Sequence, residues 1–194
     1  WVPLDDPTST WKSLPRYCFE GDNFSLWSYI DIHGNWTSPW IRSTAGLTDV
    51  AHKNGVSVGC LMSVPDGRTI YLSPWRSDSY SKILYKLTLN QNGKYVYAEP
   101  LVRMMKFYGI NGIGFNSEFH TSADVMRQLT EFFVACHKEA EKLNWKFEVH
   151  WYDGTGDDGR IHFDGGLGNH NKKIFGNKDN IATDMLFANY NWGP

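Results

Sequence analysis

Within Gly112-Ile113-Gly114-Phe115-Asn116-Ser117-Glu118, an amide and a carboxylate stand two residues apart. In an extended chain, side chains two apart leave on the same face. Asn116 and Glu118 would then aim together into one cavity at the strand's C-terminal end. One acid beside an amide is a poor pair for sugar chemistry that needs two carboxylates across the glycosidic bond. It suits a reaction in which an amino sugar's own 2-acetamido oxygen attacks the anomeric carbon. Glu118 then acts as general acid toward the leaving oxygen, and afterwards as base toward water. Asn116 holds the acetamido group as positive charge develops on its nitrogen. The acid role calls for a carboxyl pKa above that of a free carboxyl, through apolar walls and loss of solvent. Phe115, Phe119 and Trp151 are the candidates for those walls.

Such a pair needs a strand to carry it, and the pattern around it supplies a series. Leu26-Trp27-Ser28-Tyr29-Ile30-Asp31-Ile32 reads as a strand, followed by a loop that reaches Trp36. Residues 46–54 read as a helix stopping at Gly55, a favourable residue just past a helix end. A second strand covers 56–62, a helix 101–108 and a third strand 110–119. The clearest helix follows, capped by Thr121 or Ser122, with Val125, Met126, Leu129, Phe132, Phe133, Cys136, Ala140 and Leu143 on one face of period 3.6. Residues 147–152 form a fourth strand and 184–190 a fifth. Residues 1–23 read as a turn-rich N-terminal segment without an element, and 65–95 as an insertion carrying a short helix. The Gly/Asp-rich stretch 153–180 reads mostly as loop, with 153–159 a flexible turn.

Strands alternating with helices imply parallel β/α units. Polar and aromatic residues gather at the expected C-terminal edges: Trp36; Asn116 and Glu118; Trp151, Tyr152 and Asp153; Asn189, Tyr190 and Trp192. That is the edge on which (β/α)8 barrels place their chemistry, and such barrels take about 250 residues. A chain of 194 residues with five recognisable units therefore reads as α/β, a TIM-type barrel over 24–194 holding the first five or so units. A flavodoxin-like doubly wound sheet is the structural rival, but its phosphate or acidic-pocket signature is missing.

With 19 Lys+Arg against 21 Asp+Glu, the net charge of -2 gives no reason to expect nucleic acid or an anionic membrane surface as partner. No apolar run approaches the roughly 20 residues of a membrane span. Nine Trp, 10 Tyr and 11 Phe make 15% of the chain, which excludes disorder and suggests a heavy core or a stacking surface. Cys18, Cys60 and Cys136 are too scattered for a disulfide framework and read as buried thiols. The seven histidines show no zinc spacing, and 153–159 lacks the ligand spacing of a calcium loop. Neither a metal nor an organic cofactor is expected. The start at Trp1 rather than Met reads as a processed chain, which tilts the expected compartment toward extracellular or cell envelope. The oligomeric state has no signal.

Asn116-x-Glu118 on a Gly-rich strand resembles the catalytic pair of glycoside hydrolase family 85, the endo-β-N-acetylglucosaminidases. Further segments match in order: Tyr29-Ile30-Asp31-Ile32 with Trp36, Ala51-His52-Lys53-Asn54-Gly55-Val56-Ser57-Val58-Gly59, Trp151-Tyr152-Asp153, and Asn189-Tyr190-Asn191-Trp192. The resemblance spans about 24–192, with 63–98 poorly matched. It implies cleavage in the chitobiose core of an N-linked glycan or glycoprotein, by retaining, substrate-assisted hydrolysis. It also implies that Tyr152 contacts the acetamido group, that Trp192 lines the sugar subsites, and that Phe163 stands where many members carry Trp. Trp36, Trp151, Asp153 and Asn189 complete the expected sugar-binding set. The family's last three barrel strands have no counterpart here, so this stretch alone is expected to be inactive.

Family 18, the chitinase-like family, shares substrate assistance but carries an Asp-x-x-Asp-x-Asp-x-Glu run. The equivalent positions here are Asn111, Gly114, Asn116 and Glu118, so the three aspartates are missing. A non-catalytic sugar-binding domain with an aromatic cleft is the rival from another class. For single residues the plainer roles are a carboxylate at a helix N-terminus for Glu118, a turn for Asn116, and an Asx turn for Asp153. Asp31, in an apolar run, stands open between a site role and a buried network.

Overall fold

The computed structural model describes residues 2–4, 25–35, 45–63 and 80–189. In chain order the elements are β1 (Val2–Leu4), β2 (Ile32–Asn35), α1 (Ala45–Lys53), β3 (Ser57–Ser63), α2 (Tyr80–Leu87), the hairpin strands β4 (Asn90–Gln91) and β5 (Lys94–Tyr95), and α3 (Ala98–Phe107). Then follow β6 (Gly112–Asn116), α4 (Ala123–Lys142), β7 (Glu148–Tyr152), a second small hairpin of β8 (Gly176–Asn177) and β9 (Asn180–Ile181), and β10 (Met185–Phe187).

The main sheet runs β1-β2-β3-β6-β7-β10, all neighbours parallel. Spatial order follows chain order, as around the arc of a barrel. A flavodoxin-like sheet would reverse direction after its first strand, so that rival is excluded. The architecture is an α/β partial barrel.

Register sorts every strand residue onto one of two faces. Ile113 pairs with Cys60 and Val149, and Phe115 with Met62 and Trp151. These residues turn toward the helices. There α4 presents its apolar stripe and α3 adds Val102 and Met105, closing the main core. Phe115 stacks on Trp151 at 5.8 Å between centroids and lies 4.9 Å from Phe133. Truncating a buried aromatic in such a cluster costs about 3–5 kcal/mol. The opposite rungs carry Gly59 beside Gly112, Leu61 beside Gly114, and Gly114 beside His150. Gly112 leaves room that His150 fills, because a Cβ there would sit 2.7 Å from the imidazole.

The helices begin and end for local reasons. Ser122, extended at φ -111° and ψ 157°, accepts from the Val125 amide and caps α4. Pro100 stands in the first turn of α3, where no backbone donor is required. The Asn92–Gly93 turn between β4 and β5 has both residues at positive φ, as a tight two-residue hairpin demands.

Two expectations are corrected. Leu26 to Ile30 are not a strand: Trp27–Tyr29 form a 3-10 turn, and the strand starts at Ile32. Tyr29 is 83% exposed, while Trp27 and Ile30 pack on a small cluster of Ala51, Val56 and Val58. Residues 2–4, expected to carry no element, add a parallel edge strand, a place where Pro3 and its missing N–H are tolerated. Cys60 and Cys136 are buried, and burial pushes the Cys136 thiol far up. Cys18 lies outside the described residues. No helix among the described residues is long and apolar enough to cross a membrane.

Candidate active site

β6 delivers Asn116 at its last rung, half-buried, and the chain leaves the sheet through Ser117 and Glu118. Asn116 Nδ2 lies 3.5 Å from Glu118 Oε2, so the two side chains converge. Glu118 is exposed, and the side-chain cap of α4 is Ser122 rather than Glu118. The helix-capping role weighed for Glu118 therefore has no support.

β7 delivers Tyr152 one rung past the Phe115–Trp151 pair, on the face that Asn116 shares. Tyr152 pairs in register with Phe187 of β10, and its hydroxyl donates to Asn189 Oδ1 at 3.1 Å. Phe163 sets its ring edge-on to Tyr152 at 6.2 Å and sits at φ +53°, an unusual conformation for a bulky residue. Asn116, Glu118, Tyr152, Phe163 and Asn189 thus gather at the C-terminal ends of β6, β7 and β10. Trp36 and Trp192, with Tyr190, lie outside the described residues.

Three expectations change at this point. Trp151, expected to bind substrate, is fully buried on the helix face, and its indole N–H donates to the Thr155 carbonyl at 3.0 Å. Asp153 is also buried and is committed to its own loop, accepting from the Gly165 amide and from Asn171 Nδ2. It anchors the loop that carries Phe163. The walls expected around Glu118, namely Phe115, Phe119 and Trp151, instead pack on one another and on Phe133, away from the carboxylate. Asp31 is exposed, so its burial without a partner does not arise.

The stretch 153–159 is no flexible turn. Asp153, Gly154, Thr155 and Gly156 are buried, and the Asp153 amide donates to the Phe187 carbonyl at 2.9 Å. Gly154 is required by close approach, because a Cβ there would lie 2.3 Å from the Ser117 carbonyl oxygen. Ser117, buried between Asn116 and Glu118, donates its hydroxyl to the Tyr152 carbonyl. The Thr121 amide donates to Gly159 at 2.8 Å. These residues tie the acid-bearing loop to the tyrosine-bearing loop. A glycine two residues past a strand end was their available signal, since it marks close backbone approach.

Farther along the same loop, His162 and His170 stack at 3.8 Å and 4°, beside Asp158 and Asp164 respectively. The Asp164 carboxylate raises the His170 pKa. Among the described residues no three His, Cys, Asp or Glu side chains form a metal-binding group. Cavities of about 570 and 650 Å³ lie against α3, toward α4 and α2, and neither is lined by the residues gathered at the strand ends.

At the other end of β7, on the site face, Glu148 contacts His150 Nε2 at 3.3 Å and Lys146 Nζ at 3.0 Å. The hydrogen bond from His150 is the main reason its pKa falls to about 2, with Lys146 adding to it against the opposing effect of burial. A depressed carboxylate contributes stability above its ordinary 4.5 and loses it as pH falls through about 2. Urea midpoints of the full-length protein measured between those values are expected to fall less steeply in Glu148→Gln than in the unaltered protein. Identical pH slopes would contradict this.

A parallel sheet in barrel order, with amide, carboxylate and tyrosine at its C-terminal edge, is a partial (β/α) barrel carrying polar groups on the edge where such barrels place their chemistry. The sequence profile described as glycosyl hydrolase family 85 matches residues 12–194, and the chain belongs to that family. A cytosolic endo-beta-N-acetylglucosaminidase of Danio rerio is 23% identical over 171 residues, covering 87% of this chain and 22% of that protein. The glycoside hydrolase domain of Endo-D from Streptococcus pneumoniae superposes with a TM-score of 0.72 at 22% identity, over 87% of this chain and 26% of that one. A Rhizomucor miehei chitinase shares the fold more loosely, with a TM-score of 0.51 at 14% identity, over 88% of this chain and 53% of that one. The chain thus spans about a quarter or less of the length of its family 85 relatives. The lean toward an extracellular or cell-envelope compartment is overturned by the Danio rerio relative, whose name places it in the cytosol.

Proposed function

We propose that the full-length protein is an endo-β-N-acetylglucosaminidase that cleaves the chitobiose core of N-linked glycans through the substrate's own acetamido group. The observation that carries this is the convergence of Asn116 and Glu118 at an exposed strand end, 3.5 Å apart, in a family 85 chain.

In the first half of the cycle the acetamido carbonyl oxygen forms a bond to the anomeric carbon while the glycosidic C–O bond breaks. Glu118 gives its proton to the departing oxygen. With its Nδ2 turned to Glu118, Asn116 accepts through Oδ1 from the acetamido N–H as positive charge grows there. Tyr152, held through its hydroxyl by Asn189, stands beside the same group. In the second half Glu118, now ionised, takes a proton from water. The water oxygen bonds to the anomeric carbon, the ring C–O bond of the N-protonated oxazolinium breaks, and the acetamide re-forms with its N–H retained. Two displacements give net retention. Phe163 stands beside Tyr152 as an apolar ring against which a sugar would pack.

Incubating an N-glycoprotein with the full-length protein tests this reading. The expected product is a protein retaining a single N-acetylglucosamine at each released site, detected as a mass shift. A purely sugar-binding protein would leave the glycoprotein's mass unchanged.

A further inference from the structure

β6 ends at Asn116, so the hydrogen-bond ladder that fixes the amide does not reach Glu118. The acid's side chain is exposed, and its direction depends on the peptide groups on either side of it. Both are held from one residue. The Thr155 amide donates to the Ser117 carbonyl at 2.6 Å. Thr155 Oγ1 lies 2.7 Å from that carbonyl and 2.6 Å from the Phe119 carbonyl, sharing one hydrogen between them. The same oxygen accepts from the Phe119 amide at 3.2 Å. Thr155 is 1% exposed and is held in turn by the Trp151 indole donating to its carbonyl at 3.0 Å.

Resting on the assignment of Glu118 as the acid, we propose that Thr155 is a positioning residue for that acid, its hydroxyl clamping the backbone at 117 and 119. Beyond the strand, this clamp does for Glu118 what the ladder does for Asn116. It also transmits the position of β7, through buried Trp151, to the acid on the neighbouring strand. Displacing a reacting group by about 1 Å can cost about 10²-fold in rate. The hydroxyl therefore matters to turnover and little to substrate affinity.

The test uses the full-length protein with Thr155→Val, which keeps the shape and removes the hydroxyl, and Thr155→Ser, which restores it. Thr155→Val is expected to lower kcat on an N-glycan about 10- to 100-fold with KM within about threefold. A preformed sugar oxazoline bypasses the acetamido attack but still requires Glu118 as base, so Thr155→Val should slow its hydrolysis by a similar factor. Thr155→Ser should return kcat to within about threefold of the unaltered protein. A Thr155→Val kcat within about twofold of the unaltered protein overturns the proposal. So does a Thr155→Ser variant as damaged as Thr155→Val, which would point to the methyl group. Loss of a cooperative melt in Thr155→Val also counts against it, making the hydroxyl a folding determinant. Full turnover by Glu118→Gln would instead overturn the acid assignment, and the clamp with it.

Discussion

Glu118→Gln in the full-length protein is expected to lose hydrolysis of an N-glycoprotein by at least about 10²–10⁴-fold, the range a positioned general acid supplies. The amide keeps the size and the 3.5 Å neighbour of the carboxylate, so folding is little disturbed. What disappears is proton transfer in both halves of the cycle. The leaving sugar departs as an unprotonated alkoxide, and water attacks without a base. The oxazoline, once supplied ready-made, should therefore also be hydrolysed slowly. Turnover equal to that of the unaltered protein would remove Glu118 from the acid role.

Asn116→Ala is expected to reduce turnover of a natural glycan by about 10²–10³-fold, the usual loss when one preorganised polar contact to developing charge is deleted. The acetamido N–H then loses its acceptor, and Tyr152 alone is left to align the group with the anomeric carbon. A preformed oxazoline has already passed that step. Its hydrolysis by Asn116→Ala should stay within about tenfold of the unaltered protein, in contrast to Glu118→Gln. Rate measurements on both substrates separate the two residues. Equal losses for both variants on the oxazoline would show that the labour is not divided as proposed.

Much of this arrangement was legible in the chain. The apolar stripe of α4 is a strong periodic signal and that helix forms where expected, whereas the strand read over 110–119 is confined to 112–116 and ends before Glu118. The convergence of Asn116 and Glu118 is what a strand's period of two predicts, but β6 stops at Asn116, and Glu118 meets the amide from the loop beyond it. That same period, applied one step further, would have placed Trp151 correctly. It stands between His150 and Tyr152, so if Tyr152 faces the site then Trp151 must face the helices. Trp151 was expected in the sugar-binding set, and parity overrules it. The run from Leu26 to Ile30 misled for the opposite reason: its apolar residues belong to a 3-10 turn with Leu26 and Tyr29 exposed, so composition imitated a buried strand. The loop 153–171 was illegible because what orders it is distant in sequence. Asp153 reaches Asn171, and Thr155 reaches Ser117 and Phe119, through bonds that leave no periodic trace.

Gly154 carries an implication for genetics. Any side chain at that position would wedge against the Ser117 carbonyl and push two loops apart. A saturation screen scored on sugar release would therefore rank it with Glu118, although no atom of Gly154 takes part in the reaction. Intolerance to replacement and participation in bond-making would look alike in such data, and thermal denaturation of each purified variant would tell them apart.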